Sequence, residues 1–341
     1  MISDNSYSYL IAPVQSLKPN KITIYNSVSM FDRVNNCVVK KSINRFRVEK
    51  KFHNFNISYA AQNKLKDKIS WLYQLSKSRY KKSLSGREIY NFKMAFITLT
   101  LPSSQIHATS EITNVCFNQW LTEIKKLYKM ENFVWRLEFQ KNNNVHYHIA
   151  TDSFIDYHIA QKIWNRVINK LNYVDRFVDR FMKMSFLEYC NLSHNVNIDN
   201  NELSRRFAKG RSNGWKVPKS VDVVSCSDGK AISVYISKYF SKKENQFNKC
   251  NPLDNEENSF GLRLWFCSRS LSKLDAVKEY CEVSEVNFEN ELFGCKGVLK
   301  VVRDYCTIIY FNISNLLADS KKVIYQILRN YAFSLSYMPS G

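Results

Sequence analysis

The chain has 341 residues, and its fifty Lys and Arg outnumber thirty Asp and Glu to give a formal charge of +20 and a pI near 9.5. A hydrophobic content of 45% with only 8 Gly and 6 Pro excludes a disordered or collagen-like chain and suffices for one large domain or about two ordinary ones. No apolar run is long enough for a bilayer, no secretory signal opens the chain, and nine irregularly spaced cysteines fit reduced thiols, so a cytoplasmic protein with a polyanionic partner and no membrane is expected.

Residues 1–55 show only weak alternation (Ile22, Ile24, Tyr25) and are expected to form a loosely structured N-terminal extension. A helix is predicted from about Tyr59 to Tyr80, with Ala60, Leu65, Ile69, Leu72, Tyr73 and Leu75 on its apolar side and the basic patch Lys77 to Lys82 at its end. A strand through Thr98–Thr100 and a helix from about Glu111 to Tyr128, carrying Phe117, Trp120, Leu121, Ile124 and Leu127, come next.

The most informative stretch follows. Phe133, Trp135, Leu137 and Phe139 alternate with Val134, Arg136, Glu138 and Gln140, and the turn-forming Lys141-Asn142-Asn143-Asn144 leads into Val145-His146-Tyr147-His148-Ile149. Strand side chains have a period of two, so His146 and His148 share a face, and in a hairpin Glu138 can lie beside them. Two imidazoles and a carboxylate form an open divalent-metal site suited to activating phosphate esters; Gln140, on the same face, is the fallback to Glu138.

A helix is predicted from about Asp156 to Leu171, with His158 as a surface or packing residue rather than a ligand. Arg205-Arg206-Phe207-Ala208-Lys209-Gly210-Arg211 through Trp215-Lys216 interleaves cations with aromatics. As a loop it could clamp phosphates while Phe207 or Trp215 stacks on unpaired bases, or else Trp215 is tucked into the core. A Val221–Val224 strand precedes a helix predicted over 229–243. On that helix Tyr235, Lys238, Tyr239 and Lys242 fall on one stripe. A phenol titrates near pH ~10, so a tyrosine nucleophile requires a cationic neighbour or a metal-polarised target, and Lys238 supplies the cation. Acid-rich segments at 254–257 and 279–291 make the C-terminal part a poor DNA face.

In this order, Phe96-Ile97-Thr98-Leu99-Thr100-Leu101-Pro102, His146-Tyr147-His148, Ile163-Trp164-Asn165, Tyr235-Ile236-Ser237-Lys238-Tyr239 and Gly261 through Arg269 resemble the motifs of HUH-superfamily rolling-circle endonucleases, in particular the two-tyrosine replication initiators of microviruses. The resemblance covers roughly residues 90–270. It implies an α+β fold with a central, mainly antiparallel sheet flanked by helices, an endonuclease domain at 56–275 and a C-terminal accessory segment at 276–341. It also implies Mg²⁺ or Mn²⁺ held by His146, His148 and Glu138. Tyr235 would attack the origin phosphate, leaving a 5′-phosphotyrosine and a 3′-OH primer, Tyr239 would act in the next round, and Lys238 would orient the phosphate. Arg205, Arg206, Lys209, Arg211, Trp215 and Lys242 are the candidate DNA contacts, with single-stranded DNA or a stem-loop origin as substrate. No phosphate-binding Gly-x-x-x-x-Gly-Lys-[Ser/Thr] is present, so host helicase and DNA polymerase are the expected partners. The alternatives are a non-catalytic single-strand binder, or an HUH relaxase or transposase.

Overall fold

The computed structural model describes residues 7–18, 21–35, 37–38, 57–76, 79–82, 89–192, 195, 197–226, 251–255, 262–274, 279–280, 298–304 and 306–311. In chain order the elements are β1 (Tyr7–Lys18), β2 (Lys21–Asp32), β3 (Cys37–Val38), α1 (Tyr59–Leu75), β4 (Arg79–Lys82), β5 (Ile89–Phe92), β6 (Met94–Leu99) and α2 (Thr109–Glu111). A π-helical turn (Ile112–Phe117) joins α2 to α3 (Asn118–Tyr128). Then come β7 (Phe133–Phe139), β8 (Val145–Thr151), α4 (Tyr157–Ile168), α5 (Tyr173–Lys183), α6 (Phe186–Cys190), α7 (Asn200–Ser212), β9 (Val221–Cys226), β10 (Trp265–Cys267), β11 (Glu279–Tyr280), β12 (Val298–Arg303) and β13 (Cys306–Phe311).

The chain divides into two compact units. One comprises Met1–Lys51, Lys66–Ser76 and Ser268–Gly341, the other Phe52–Leu65 and Lys77–Cys267. In the first, β1 and β2 form a long antiparallel ladder from Tyr7↔Asp32 to Lys18↔Lys21, and the sheet runs β11-β1-β2-β13-β12. The N-terminal segment is therefore a regular hairpin that pairs with the C-terminal strands, not a loose extension. Such pairing sets Tyr25 opposite Cys306, a separation in sequence that local periodicity cannot bridge.

The second unit carries a five-stranded antiparallel sheet in the order β10-β7-β8-β6-β9. The fold is α+β with antiparallel sheets flanked by helices, as expected. One sheet face (Ile97, Leu99, Trp135, Leu137, Phe139, Val145, Tyr147, Ile149) packs on Ile112, Cys116, Phe117, Trp120 and Ile124 and on Ala160, Trp164, Val167 and Ile168 of α4. Indole N–H groups that enter this core find acceptors: Trp120 Nε1 donates to Ala160 O (3.1 Å) and Trp164 Nε1 to Thr100 O (2.7 Å). The described cysteines form no disulfide, and burial pushes the Cys116 thiol up to about 12, so it is held as an unreactive thiol.

Helix ends follow local chemistry. Asp156 caps α4, its side chain accepting from Ile159 N, and Ser185 with Glu188 forms a capping box on α6. The first long helix ends at Leu75 rather than about Tyr80, and Arg79–Lys82 instead pairs with Ile89–Phe92 as a two-stranded ribbon. Beyond α4, three helices occupy a stretch read as containing a basic loop. Residues 205–212 lie on α7, capped by Asp199, which accepts from Asn201 N and Glu202 N.

Candidate metal centre

On the sheet face opposite the core, register sets side chains from all five strands in a row: Trp265, Arg136, His148, Thr98 and Asp222 are successive cross-strand partners. Glu138 and His146 are direct partners in the adjacent row. His148 Nε2 lies 2.8 Å from Glu138 Oε1, and the His146 and His148 rings are 4.4 Å apart between centroids. One ligand atom from each of Glu138, His146 and His148 lies within 4.8 Å of the others. His148 is wholly buried, and 21% of the Glu138 side chain remains exposed, so the trio opens outward through the carboxylate. Burial raises the Glu138 carboxyl, but the hydrogen bond to His148 and the charges of His148, Arg136 and His146 outweigh it and hold the carboxyl below its ordinary range.

This donor set fits a divalent cation. Two imidazole nitrogens and one carboxylate on one side leave the remaining positions for water or substrate, as in facial sites that bind Mg²⁺, Mn²⁺ or Fe²⁺ class ions. No ion identity follows from the donors. Gln140, the alternative to Glu138, sits at the strand's end, where its N–H donates to Asn144 O (2.9 Å).

The middle residue of the His-Tyr-His triplet points the other way and anchors the strand. Tyr147 stacks on Phe117 (centroids 4.1 Å, planes 6° apart), and its hydroxyl shares a 2.8 Å hydrogen bond with Thr113 Oγ1 inside the π-helical turn. Thr113 in turn donates to Thr109 O (2.7 Å). Asp254 accepts from both Thr109 N and Thr109 Oγ1 at 2.7 Å, closing a chain of buried polar contacts from strand to helix start. Asn251 Nδ2 donates to Asn143 O (3.1 Å) at the hairpin tip. Gln105 and Asn144 bind each other's segments: Gln105 N donates to Asn144 Oδ1 (2.9 Å) and Val145 N to Gln105 Oε1 (2.7 Å). A cleft of about 430 Å³ lies there, between Gln105, Asn143, Asn251 and Leu253.

Residues 94–244 match a family model of replication-associated proteins, the group named for ORF2 and gene-2 protein. The matched stretch is somewhat under half of the chain and contains β6, the whole candidate metal centre and α4 to α7. No curated protein and no solved structure gives a significant match. Over that stretch the chain is similar to replication-associated proteins.

Within it, α5 to α7 build a small aromatic core of Phe181, Met184, Tyr189 and Leu203, against which Phe177, Phe207 and Trp215 pack. Trp215 is half-buried, with its ring centroid 4.8 Å from that of Phe181 and 5.6 Å from that of Tyr189. Of the two placements left open by the sequence, the ring takes the packed one. Arg205, Arg206, Lys209 and Arg211 are exposed on α7. Arg205 and Arg206 both contact Glu202 (2.7 Å each), while the Arg211 guanidinium lies 5.5 Å from the Phe207 ring centroid. Tyr235, Lys238, Tyr239 and Lys242 lie outside the described residues. Two neighbours of the metal centre, Thr98 and Arg136, were missed as site residues. Both showed the right strand parity, but cross-strand register cannot be read from one sequence. No helix among the described residues is long and apolar enough to cross a membrane.

Proposed function

We propose that the protein is a replication initiator that nicks and rejoins single-stranded DNA through a tyrosine nucleophile, in the manner of HUH rolling-circle endonucleases and with microvirus initiators as its nearest functional type. The observation that carries this is the Glu138, His146 and His148 cluster on an open sheet face, inside the stretch that matches replication-associated proteins. A bound Mg²⁺ or Mn²⁺ would supply Lewis-acid neutralisation of the non-bridging phosphate oxygens.

The tyrosines provide the nucleophile in this reading. Tyr235 is nine residues past Cys226, the last residue of β9. At roughly 3.3–3.6 Å per extended residue, that tether allows up to about 30 Å, more than the length of the strands it must pass. The phenolate oxygen attacks phosphorus, the P–O3′ bond breaks, and the departing oxygen takes a proton to become the 3′-OH primer. The phosphodiester becomes a phosphotyrosine diester, so bond energy is conserved and no ATP is consumed. Tyr239 acts on the next round, and Lys238 orients the phosphate. The exposed cations of α7, with Lys242, hold the DNA strand; Trp215 supports them from the aromatic core. The activity is assigned to residues 56–275, in a bacterial cytoplasm where host helicase and polymerase extend the primer.

The test is incubation of the full chain with stem-loop and single-stranded oligonucleotides and Mn²⁺, followed by a denaturing gel. A covalent protein–DNA band is expected for the wild type, and Tyr235→Phe with Tyr239→Phe should abolish it without loss of affinity. Retained binding with no adduct in any variant would leave a basic single-strand binder. One tyrosine sufficing for sustained turnover would overturn the two-tyrosine cycle.

A further inference from the structure

β6 brings a hydroxyl to the far side of the candidate metal centre. Thr98 is the direct cross-strand partner of His148, on the same sheet face, and its Oγ1 lies 3.3 Å from His148 Nδ1. The other ring nitrogen, Nε2, faces Glu138 Oε1 at 2.8 Å. The two nitrogens of one fully buried ring are thus addressed from opposite sides, one by an alcohol on β6 and one by a carboxylate on β7.

We propose that Thr98 is a positioning residue of the metal centre, accepting the Nδ1–H of His148 so that the Nε2 lone pair is presented toward Glu138 and His146. The proposal rests on reading the trio as a cation site. A neutral imidazole carries one proton on one of two nitrogens, and only the bare nitrogen can ligate. An ionised Glu138 beside Nε2 favours the proton there, which blocks ligation. A hydroxyl at Nδ1 can either donate or accept, so it tolerates the metal-free state and supports the ligating tautomer when an ion arrives. With an apolar group at position 98, the ligating tautomer would leave a buried N–H facing carbon. Histidine ligands in general depend on such outer partners, whose loss weakens metal affinity by roughly 10- to 100-fold. Thr is the residue type that meets both demands here, since its β-branched body suits a central strand and its hydroxyl serves the ring.

The test uses the metal-free full chain and three proteins: wild type, Thr98→Val, which keeps the shape, and Thr98→Ser, which keeps the hydroxyl. Mn²⁺ affinity is read by the electron paramagnetic resonance signal of free Mn²⁺, and the His148 tautomer by imidazole ¹⁵N resonances before and after titration with Mg²⁺. The expected result is a dissociation constant raised about 10- to 100-fold in Thr98→Val and restored to within about threefold in Thr98→Ser. The wild type should also move to the Nδ1–H tautomer on Mg²⁺ addition. Equal Mn²⁺ affinity in wild type and Thr98→Val overturns the role of Thr98 and leaves the cation site standing. Failure of Thr98→Ser to recover affinity also overturns it, because packing rather than the hydroxyl would then be responsible. Absence of Mn²⁺ binding by the wild type removes the cation site itself, and this inference with it.

Discussion

Adding one methyl group to α7 should change sign with its surroundings. The helix ends at Ser212 in a left-handed cap: Gly214 (φ 61°) donates to Arg211 O (3.1 Å) and Trp215 N donates to Gly210 O (2.9 Å). That cap folds the Trp215 ring back onto Gly210, so a Cβ at 210 would lie 2.2 Å from Trp215 Cζ2. In an open helix, Gly→Ala stabilises by about 0.8–1.0 kcal/mol. Here the ring is held among Phe177, Phe181, Tyr189 and Phe207 and cannot retreat without losing those contacts. Overpacking costs about 1–3 kcal/mol, so Gly210→Ala should destabilise the α5–α7 region by roughly 1–2 kcal/mol net. In a Trp215→Ala background the obstacle is gone, and the same substitution should stabilise by about 1 kcal/mol. Amide hydrogen exchange of residues 201–212, followed by mass spectrometry, reads this local stability in all four proteins. Slower exchange in Gly210→Ala alone would refute the packing argument and leave Trp215 free to stack on DNA bases.

Other perturbations test the site and its supports. Glu138→Ala should weaken Mn²⁺ binding and slow nicking; unaltered metal dependence in a Mn²⁺ titration would shift the role to Gln140. Tyr147→Phe removes one buried hydrogen bond to Thr113 and should cost about 0.5–1.5 kcal/mol in chemical denaturation while leaving Mn²⁺ affinity unchanged. Burial lifts the Asp254 carboxyl above its usual range against the hydrogen bonds from Thr109. Its contribution is therefore complete below the unfolded pKa and declines as pH rises through the elevated folded one. Asp254→Asn should accordingly gain in melting temperature relative to wild type between about pH 4 and about pH 7, and a difference that moves the other way contradicts the assignment. Replacing Arg205, Arg206 and Arg211 together should flatten the salt dependence of single-strand binding, by up to about 0.7 per lost phosphate contact. Glu202→Gln, which frees Arg205 and Arg206, should tighten binding at low salt.

How much was legible in the sequence follows from how local each determinant is. Alternation alone predicted the β7–β8 hairpin and put Glu138, His146 and His148 on one face, and the register pairs Glu138 directly with His146. The helices over 111–128 and 156–171 were visible because Phe117, Trp120, Ile124 and Ala160, Trp164, Val167 recur at helical spacing. α5 was equally visible in principle, since Tyr173, Phe177 and Phe181 recur every fourth residue; attention to the basic run downstream concealed it. That run carries few apolar residues, and its helix depends on the Asp199 cap and on Leu203 and Phe207 reaching an aromatic core built elsewhere. β10 and the β13–β2 pairing join distant segments, and Thr98 beside His148 requires the order of strands in the sheet. None of these leaves a signature within a single window of sequence.

The same two strands supply the core and the metal centre by opposite parity, and this decides what holds the site in place. Trp135, Leu137, Phe139, Tyr147 and Ile149 are all buried on one face, at roughly 1.5–3 kcal/mol for each large apolar side chain. A slip of one residue between β7 and β8 would turn His146, His148 and Glu138 into the helices and expose that whole set. The cost of such a slip far exceeds anything the His148–Glu138 contact contributes on its own, since pairing offsets the desolvation of a buried ion pair only partly. The donor geometry is therefore fixed by the hydrophobic face behind it and not by attraction among the donors. Substitutions at Glu138 or His148 should consequently change metal affinity while the ladder and its register persist. An imidazole and a carboxylate held together by their surroundings in this way are free to exchange their mutual hydrogen bond for a cation without rebuilding the sheet.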